Sequence, residues 1–372
     1  MDFSLSDEQK ELQELASRIL RDRATPERLR ALEAGPENLD LELWAELGSA
    51  GLLGAAIPEA DGGAGLGLLE LCLLIEEVGR AAAPLPALAT LAWSALPLAR
   101  FGSGSQRSRL LPGVARGELL LTAALAEPGE PDPQAPHARA AQEGASWRLS
   151  GRKICVPFAS RAERVLVPAR GEAGVGLFLL DPGSPGVSLA PQQTTAREPQ
   201  FAIDLEGAPV PEAWVLVPPS PAGAAALQWT VERATAASAA LQLGVCAEAL
   251  RMTAAYTASR EQFGRKLSTF QAVAQRAADC YVDVECLRLT VQQAVWLLAR
   301  ERPASEEVAI AKAWAGDVGH RVSFAAQHLH GGIGVDVDYP LHRYCLWAKQ
   351  LELGLGSSAH QLEKLGRWIA AA

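Results

Sequence analysis

The chain predicts an α+β fold, mostly α, in three parts. These are an N-terminal helical domain over residues 1–118, a small central β-sandwich or barrel domain over 119–217, and a C-terminal four-helix bundle over 218–372. Two observations carry this. Apolar residues recur at helical spacing on both flanks of the sequence, and the middle is a run of short alternating or β-branched segments punctuated by Gly, Pro and Asp. A third, the length of 372 residues with 49% hydrophobic and 21% charged, allows two or three parts around a large core.

Each element has its own signal. Ser6 followed by acidic residues starts a helix, with Leu12, Leu15 and Ile19 along one face. LDLELWAELGSAGLLGAAIPEADGGAGLGLLELCLLIEEVGR predicts two helices around a Gly-rich loop at 58–67, and helical patterns then run to about Gly117. The character changes at Leu119. The apolar run ELLLTAALAEPGEPDPQAP ends in turn residues. SWRLSGRKICVPFA, ERVLVPAR, GVGLFLLD, GVSLAP and PQFAIDLEGAPV then read as strands, the β part closing near Val217 with VPPSPAG as a linker. From Ala222 the pattern predicts one very long helix, then helices over Phe270–Leu298 and Glu306–His330, and a last one ending near Ala371. No internal repeat or low-complexity tract interrupts this order.

Composition excludes some classes. A net charge of −9 argues against a nucleic-acid binder, which needs a basic face. MDFSLSDEQKELQELASRILRD lacks the basic start and apolar run of a signal peptide. The richest apolar stretch, LGLLELCLLIEEVG, is broken by Glu70, Glu76 and Glu77, so no membrane span is expected and the reading is cytoplasmic. The cysteines form no CxxC pair and read as free thiols, mostly buried, in a reducing compartment.

Several stretches resemble one family from end to end. GLLGAAIPEADGGAGL resembles a G-x-x-P-E-x-x-G-G-x-G turn, AEPGE the start of a T-E-P-G stretch, and WRLSGRKICV an L-x-G-x-K-x-x-I hairpin. SREQFGRKLSTFQAV is similar to an R-x-Q-F-G…F-Q signature, and HGGIG with DYPLHRY to a G-G-x-G…P-x-x-R block. With the opening helix MDFSLSDEQKELQELASRIL, these stand in the order of the acyl-CoA dehydrogenase flavoproteins. The resemblance implies a dimer or tetramer in which each FAD lies between the β domain and bundle of one subunit and is touched by the neighbouring bundle. It also implies removal of two hydrogens from the α and β carbons of an acyl-CoA thioester, with an electron-transferring flavoprotein reoxidising the flavin.

Carried over residue by residue, the resemblance assigns FAD contacts to Arg260, Phe263, Phe270, Gln271, His328, Gly331, Gly332 and Ser357. Arg260 faces the pyrophosphate of the neighbouring subunit's FAD, and a guanidinium fork suits that task. His328 stands where the family usually has Gln. His328 and His330, two apart on a helix, point to different sides, which argues against a metal site. Gly331, Gly332 and Gly334 permit a tight helix exit and close approach of a ligand. Arg265 and Lys266 read as solvated, and Arg233 as a residue near the CoA end of the substrate. In the β part, the flavin-ring positions fall on Leu125, Ala126, Cys155 and Pro157, where only contacts through backbone N–H groups are expected to survive.

The base is the departure. Abstraction of an α proton needs a positioned acceptor, a carboxylate in this family. Its two usual locations fall on Leu355 and Ala234, neither of which takes a proton. Glu232 remains as a candidate catalytic residue only if the alignment slips by two. Three readings stay open: a dehydrogenase or the base-poor subunit of a mixed one, acting on bulky, steroid-like acyl groups; a flavin-dependent monooxygenase on the same scaffold; and a scaffold subunit that completes a partner's site. Homo- and hetero-oligomers both fit.

Overall fold

A computed structural model describes residues 2–35 and 37–371. The N-terminal elements are α1 (Asp7–Arg23), α2 (Pro26–Glu33), α3 (Leu41–Ser49), α4 (Leu68–Ala81), α5 (Leu96–Phe101) and α6 (Gly104–Ala115). α1 opens with a capping box. Ser6 Oγ accepts from the Gln9 N–H at 3.2 Å, and the Gln9 side chain accepts from the Ser6 N–H at 2.9 Å, satisfying two orphan donors. A π-helical stretch, Leu88–Ala95, runs directly into α5.

The sheet comprises β1 (Leu121–Ala123), β2 (Arg139–Glu143), β3 (Ser146–Pro157), β4 (Arg164–Gly171), β5 (Gly174–Leu180), β6 (Val187–Gln192), β7 (Gln200–Pro211) and β8 (Val215–Ser220). Its order is β6-β7-β3-β2-β4-β5-β8, with β1 added in parallel to β4. β3 and β7 are long and bulged, with register shifts at Leu149/Ser150 and Lys153/Val156. Bulges bend strands, and β3 places both Leu149 and Val156 in one core with Val165, Val167, Phe178, Leu180, Ile203 and Leu205.

Every strand segment expected from the sequence is present, and the sheet adds three more, β1, β2 and β8. β2 carries no strand signal because only Ala140 of its five residues is buried, so it shows no alternation. The expected linker VPPSPAG is a correction. Its first half belongs to β8, and α7 (Pro221–Ser259) begins with no residue between. β8 is a sheet edge, where proline removes no needed ladder bond. Ser220 Oγ then accepts from the Gly223 N–H at 3.1 Å and Pro221 takes the first helical position, a helix start rather than a flexible tether.

Helices α8 (Gln271–Leu298), α9 (Ser305–His330), α10 (Leu341–Leu353) and α11 (Ser358–Ala371) follow α7. The short hairpin β9 (Glu261–Gln262) and β10 (Arg265–Lys266) lies between α7 and α8. Contacts gather the chain into two compact units. One holds the residues up to Leu29, Cys72–Ala83 and Ala236 onwards; the other holds Arg30–Leu71 and Pro84–Thr235.

Within the first unit, α4 and α7 meet backbone to backbone. A methyl group on Gly244 would lie 1.9 Å from the Glu76 carbonyl oxygen, and one on Gly79 would lie 2.2 Å from that of Leu241. Beside this crossing the buried Glu76 and Glu77 meet Arg80 at 2.5 and 3.2 Å, and Arg288 of α8 reaches Glu76 at 3.1 Å. Gln13 of α1 donates to Glu77 at 3.0 Å, and the Tyr344 hydroxyl of α10 donates to the Arg80 carbonyl at 2.8 Å. Two of the three acids that break the apolar stretch in the sequence, Glu76 and Glu77, are thus the polar centre of the unit.

Gly244→Ala is expected to cost about 3 kcal/mol, since the obstacle is main chain and cannot yield. Gly366→Ala on α11, where an added methyl meets nothing within 4 Å, is expected to gain about 1 kcal/mol from helix propensity. Urea midpoints of the two variants at unchanged m-value check both signs.

Candidate cofactor site

The end of α7 and the start of α8 bring four of the expected residues together. Arg260 follows the last turn of α7, its N–H donating to the Tyr256 carbonyl at 2.8 Å, and its own carbonyl accepts from the Leu267 N–H at 2.9 Å. That bond closes the β9–β10 hairpin, whose two turn residues, Phe263 and Gly264, have φ of 56° and 76°. Two consecutive positive φ values make the turn that matches strand twist. Glycine adopts this at no steric cost; for phenylalanine it is uncommon. Phe263 is also 90% exposed. A bulky apolar side chain held out in a disfavoured conformation is a pointer to function. Its ring meets Phe270 edge to face at 6.1 Å, and Arg265 lies 3.9 Å over the Phe270 ring. Arg265 is exposed, as expected, and its guanidinium also stacks on this aromatic pair. Gln271 is exposed at the first position of α8.

The HLHGGIG segment ends α9. His328 is exposed, and Arg276 of α8 donates to its Nδ1 at 3.0 Å. Arginine has no acceptor, so Nδ1 accepts, and a neutral ring then carries its proton on Nε2. Arg276 carried no signal in the sequence. His330 points the other way. It is buried, stacked on Tyr256 at 4.4 Å, with Nδ1 donating to the Ala326 carbonyl at 2.8 Å and Nε2 accepting from the Tyr339 hydroxyl at 3.2 Å. The divergence follows from a spacing of two on a helix. Among the described residues no three His, Cys, Asp or Glu side chains converge as a metal site would require.

Gly331 has φ 67° and ψ −142°, open only to glycine. Gly332 does not need its glycine for conformation, and an added methyl would meet nothing within 4 Å. The chain itself gives no reason for that residue, whereas close approach of an external group does.

Ser357 lies elsewhere in the same unit, in the loop between α10 and α11. Ser358 Oγ anchors that loop to the Ala313 carbonyl of α9 at 3.0 Å. Ala313 and His328 are fifteen residues apart on α9, about 22 Å at helical rise. Leu355 is half-buried with φ 56°, and its carbonyl accepts from Gln361 at 3.0 Å.

The second unit contains the remaining positions. Glu127 of AEPGE and Lys153 of WRLSGRKICV are a buried pair at 2.5 Å, and Glu127 also accepts from the His137 and Ala138 N–H groups at 2.6 and 3.1 Å. Burial pushes the Glu127 carboxyl up, but Lys153 and the two N–H groups outweigh it and hold it below its ordinary range. Burial draws Lys153 down against the same partner; the geometry of four donors and acceptors is that of a charged pair. Along β3, the Cys155 N–H already donates to Gln192 at 2.7 Å, and Pro157 has none. Neither position therefore has an unpartnered backbone N–H among the described residues. Glu232 is half-buried and accepts from Gln228 at 3.0 Å. Arg233 is buried, its guanidinium folded 3.8 Å over the Trp229 ring and donating to the Trp229 carbonyl at 3.3 Å. Ala234 is fully buried.

Comparison with known proteins settles the affiliation. Residues 6–118 match the family profile "Acyl-CoA dehydrogenase, N-terminal domain", and residues 222–370 match "Acyl-CoA dehydrogenase, C-terminal domain". Acyl-CoA dehydrogenase FadE27 of Mycobacterium tuberculosis is 38% identical over 379 residues, covering 100% of this chain and 99% of that protein. The chain belongs to the acyl-CoA dehydrogenase family. Among solved structures, the Tcur3481-Tcur3483 steroid ACAD is 47% identical with a TM-score of 0.93 over 99% of both chains. The ChsE4-ChsE5 complex from Mycobacterium tuberculosis is 39% identical with a TM-score of 0.94 over 100% of both. The acyl-CoA dehydrogenase architecture is thus shared along the whole chain. The chain is of an oxidoreductase family, and no helix of the described residues is long and apolar enough to cross a membrane.

Two stability measurements test these assignments. Lys153→Met strands a buried carboxylate and is expected to cost about 3–5 kcal/mol at pH 7. A lowered Glu127 pKa makes the pair's contribution complete above the carboxylate range and lost as acid protonates Glu127, so the gap to wild type narrows by pH 4. Burial lowers the His330 pKa, so the unfolded chain binds more protons below about pH 6.5 and stability falls there. His330→Gln is expected to flatten that part of the melting-temperature profile between pH 7 and 5.

Proposed function

We propose that this chain is the base-lacking subunit of a heteromeric, FAD-dependent acyl-CoA dehydrogenase that removes two hydrogens from the α and β carbons of a bulky, steroid-like acyl-CoA. The observation that carries it is the pair Leu355 and Ala234: both positions where the family keeps its carboxylate hold side chains without a titratable atom. The α proton then has to go to a group on a related partner chain. The two solved relatives with the names of paired proteins, one of them a steroid ACAD, support a mixed assembly and the substrate class.

The residues fit a flavin nucleotide unevenly. Arg260, the exposed Phe263 with Phe270 and Arg265 behind it, Gln271, His328 with its Nε2–H, and the unhindered turn at Gly331 and Gly332 suit a pyrophosphate and its flanking rings. In this reading Arg260 serves the FAD bound against the neighbouring subunit, and Ser357 is a second contact. The chain's own β3 offers a flavin ring less, since Cys155 has spent its N–H and Pro157 has none. Bound FAD supplies acceptance of the β hydride, and an electron-transferring flavoprotein takes the electrons away. Arg233, turned onto Trp229, shapes the wall near the CoA end. The three-part division at about 118 and 217 and a cytoplasmic location complete the reading.

Co-purification with a related base-bearing subunit, followed by anaerobic titration with CoA thioesters, tests it. The mixed assembly is expected to bleach its flavin, and this chain alone is expected not to. Arg260→Ala in this chain should lower flavin occupancy at least about tenfold, the loss of one charge-assisted contact. Glu232→Gln should leave the bleaching rate within about twofold; a loss of the hundredfold or more typical of a missing base would make Glu232 the base and overturn the proposal.

A further inference from the structure

Lys312 has no part in the contacts so far assigned, yet it is among the most completely buried side chains, 1% exposed on an otherwise apolar and small-residue face of α9. Its Nζ donates to the carbonyls of Leu351 and Glu352, both at 3.0 Å. These are carbonyls of the last turn of α10, which a helix leaves without partners and where its dipole favours a cation. The usual glycine solution is absent. Gly354 follows with an extended backbone, φ −66° and ψ 142°, and caps only the Gln350 carbonyl. An ammonium in this seat carries a desolvation cost, which burial registers by drawing the Lys312 pKa down to about 8, with Glu352 acting in the other direction. A methionine would fill the same space without that cost, so the packing alone does not account for a lysine.

The loop beyond is held in the same manner. Ser358 Oγ donates to the Ala313 carbonyl one residue along α9, and a methyl on Gly316, one turn on, would lie 2.2 Å from Ser358 Oγ. Gln361 of α11 holds the Leu355 carbonyl. None of these anchors uses the side chain of residue 355 or 357. Ser357 Oγ makes no hydrogen bond among the described residues.

We infer that Lys312 is a positioning residue: from its buried seat it fixes the main chain at the end of α10, from which the α10–α11 loop departs, and thereby aims Ser357 at the cofactor. The second half rests on the flavin reading above; the first half does not. Lys312→Met keeps the volume and removes the ammonium. In the assembled protein without FAD, amide hydrogen exchange at residues 353–358 is expected to speed up at least about tenfold, the weight of lost bonds from a charged donor, while the middle of α8 stays protected. FAD binding, followed by its absorbance, is expected to weaken by about the same factor. Ser357→Ala alone should weaken it about threefold or more, and should add less than about twofold on top of Lys312→Met, because contacts that act as a unit are not additive.

Unchanged exchange at 353–358 in the methionine variant overturns the inference. Additive effects of the two substitutions overturn the route through Ser357. Loosening of the loop with no effect of Ser357→Ala, while Arg260→Ala still weakens FAD, also overturns that route and keeps the flavin reading. Loosening with no effect of either substitution retains the clamp and sinks the flavin reading instead. Where the methionine variant does not fold, Lys312→Gln, which keeps one donor group, is expected to show the same pattern at reduced size, and unchanged exchange there overturns the inference equally.

Discussion

The constraint on which the helical unit rests is the crossing of α4 and α7 at Gly79 and Gly244. Two helices whose carbonyls approach where any side chain would stand leave no freedom in their separation or rotation. That fixed contact decides where Glu76 and Glu77 fall. Two buried carboxylates are tolerable only with cations beside them, so Arg80 and Arg288 are drawn in, and with Arg288 comes α8. Gln13 and Tyr344 fasten α1 and α10 to the same point. The ends of α7 and α8 that carry Arg260, Phe263 and Phe270 are the outer ends of helices fixed at this centre. The site's geometry is therefore inherited from a helix contact many residues away.

Buried charge recurs in the molecule as a way to hold main chain where side chains cannot. Glu127 gathers Lys153 and the N–H groups of His137 and Ala138, fixing an irregular stretch rich in proline to β3. Lys312 gathers two carbonyls at the end of α10. In both cases the charged group is far more buried than its type usually is, and in both its partners include backbone atoms, of the irregular stretch after Glu127 in one and of the last turn of α10 in the other. Such anchors are insensitive to what the loop displays. A loop held by its carbonyls can exchange the residue it presents without losing its shape.

Much of the fold was legible because its signals are local. The capping box at Ser6, the helical periodicity of α7 to α9 and the strand segments β3 to β7 each follow from residues adjacent in sequence. What escaped was set by tertiary context. β2 is polar because only one of its residues faces a core, and VPPSPAG reads as punctuation because proline in an edge strand and at a helix start looks the same as proline in a loop. At the candidate cofactor site, the resemblance singled out Arg260, Phe263 and Gln271, which the structure gathers at the junction of α7 and α8. The residues behind them, Arg276 against His328 and Arg265 against Phe270, were not singled out, since a surface arginine and a buttressing one have the same neighbours in sequence.

On the proposed reading, a leucine at position 355 in place of a carboxylate is a change confined to one side chain. Leu355 keeps a positive φ that costs a non-glycine residue roughly 1 kcal/mol or more, and nothing about leucine calls for that conformation. The loop retains it because Lys312, Ala313 and Gln361 act on carbonyls and on Ser358, not on the residue displayed. A scaffold that had lost its role altogether would have no physical reason to keep a lysine desolvated and a leucine strained at the same spot. Both costs are accounted for if the loop still has something to position; on the inference above that is the hydroxyl of Ser357, two residues further on.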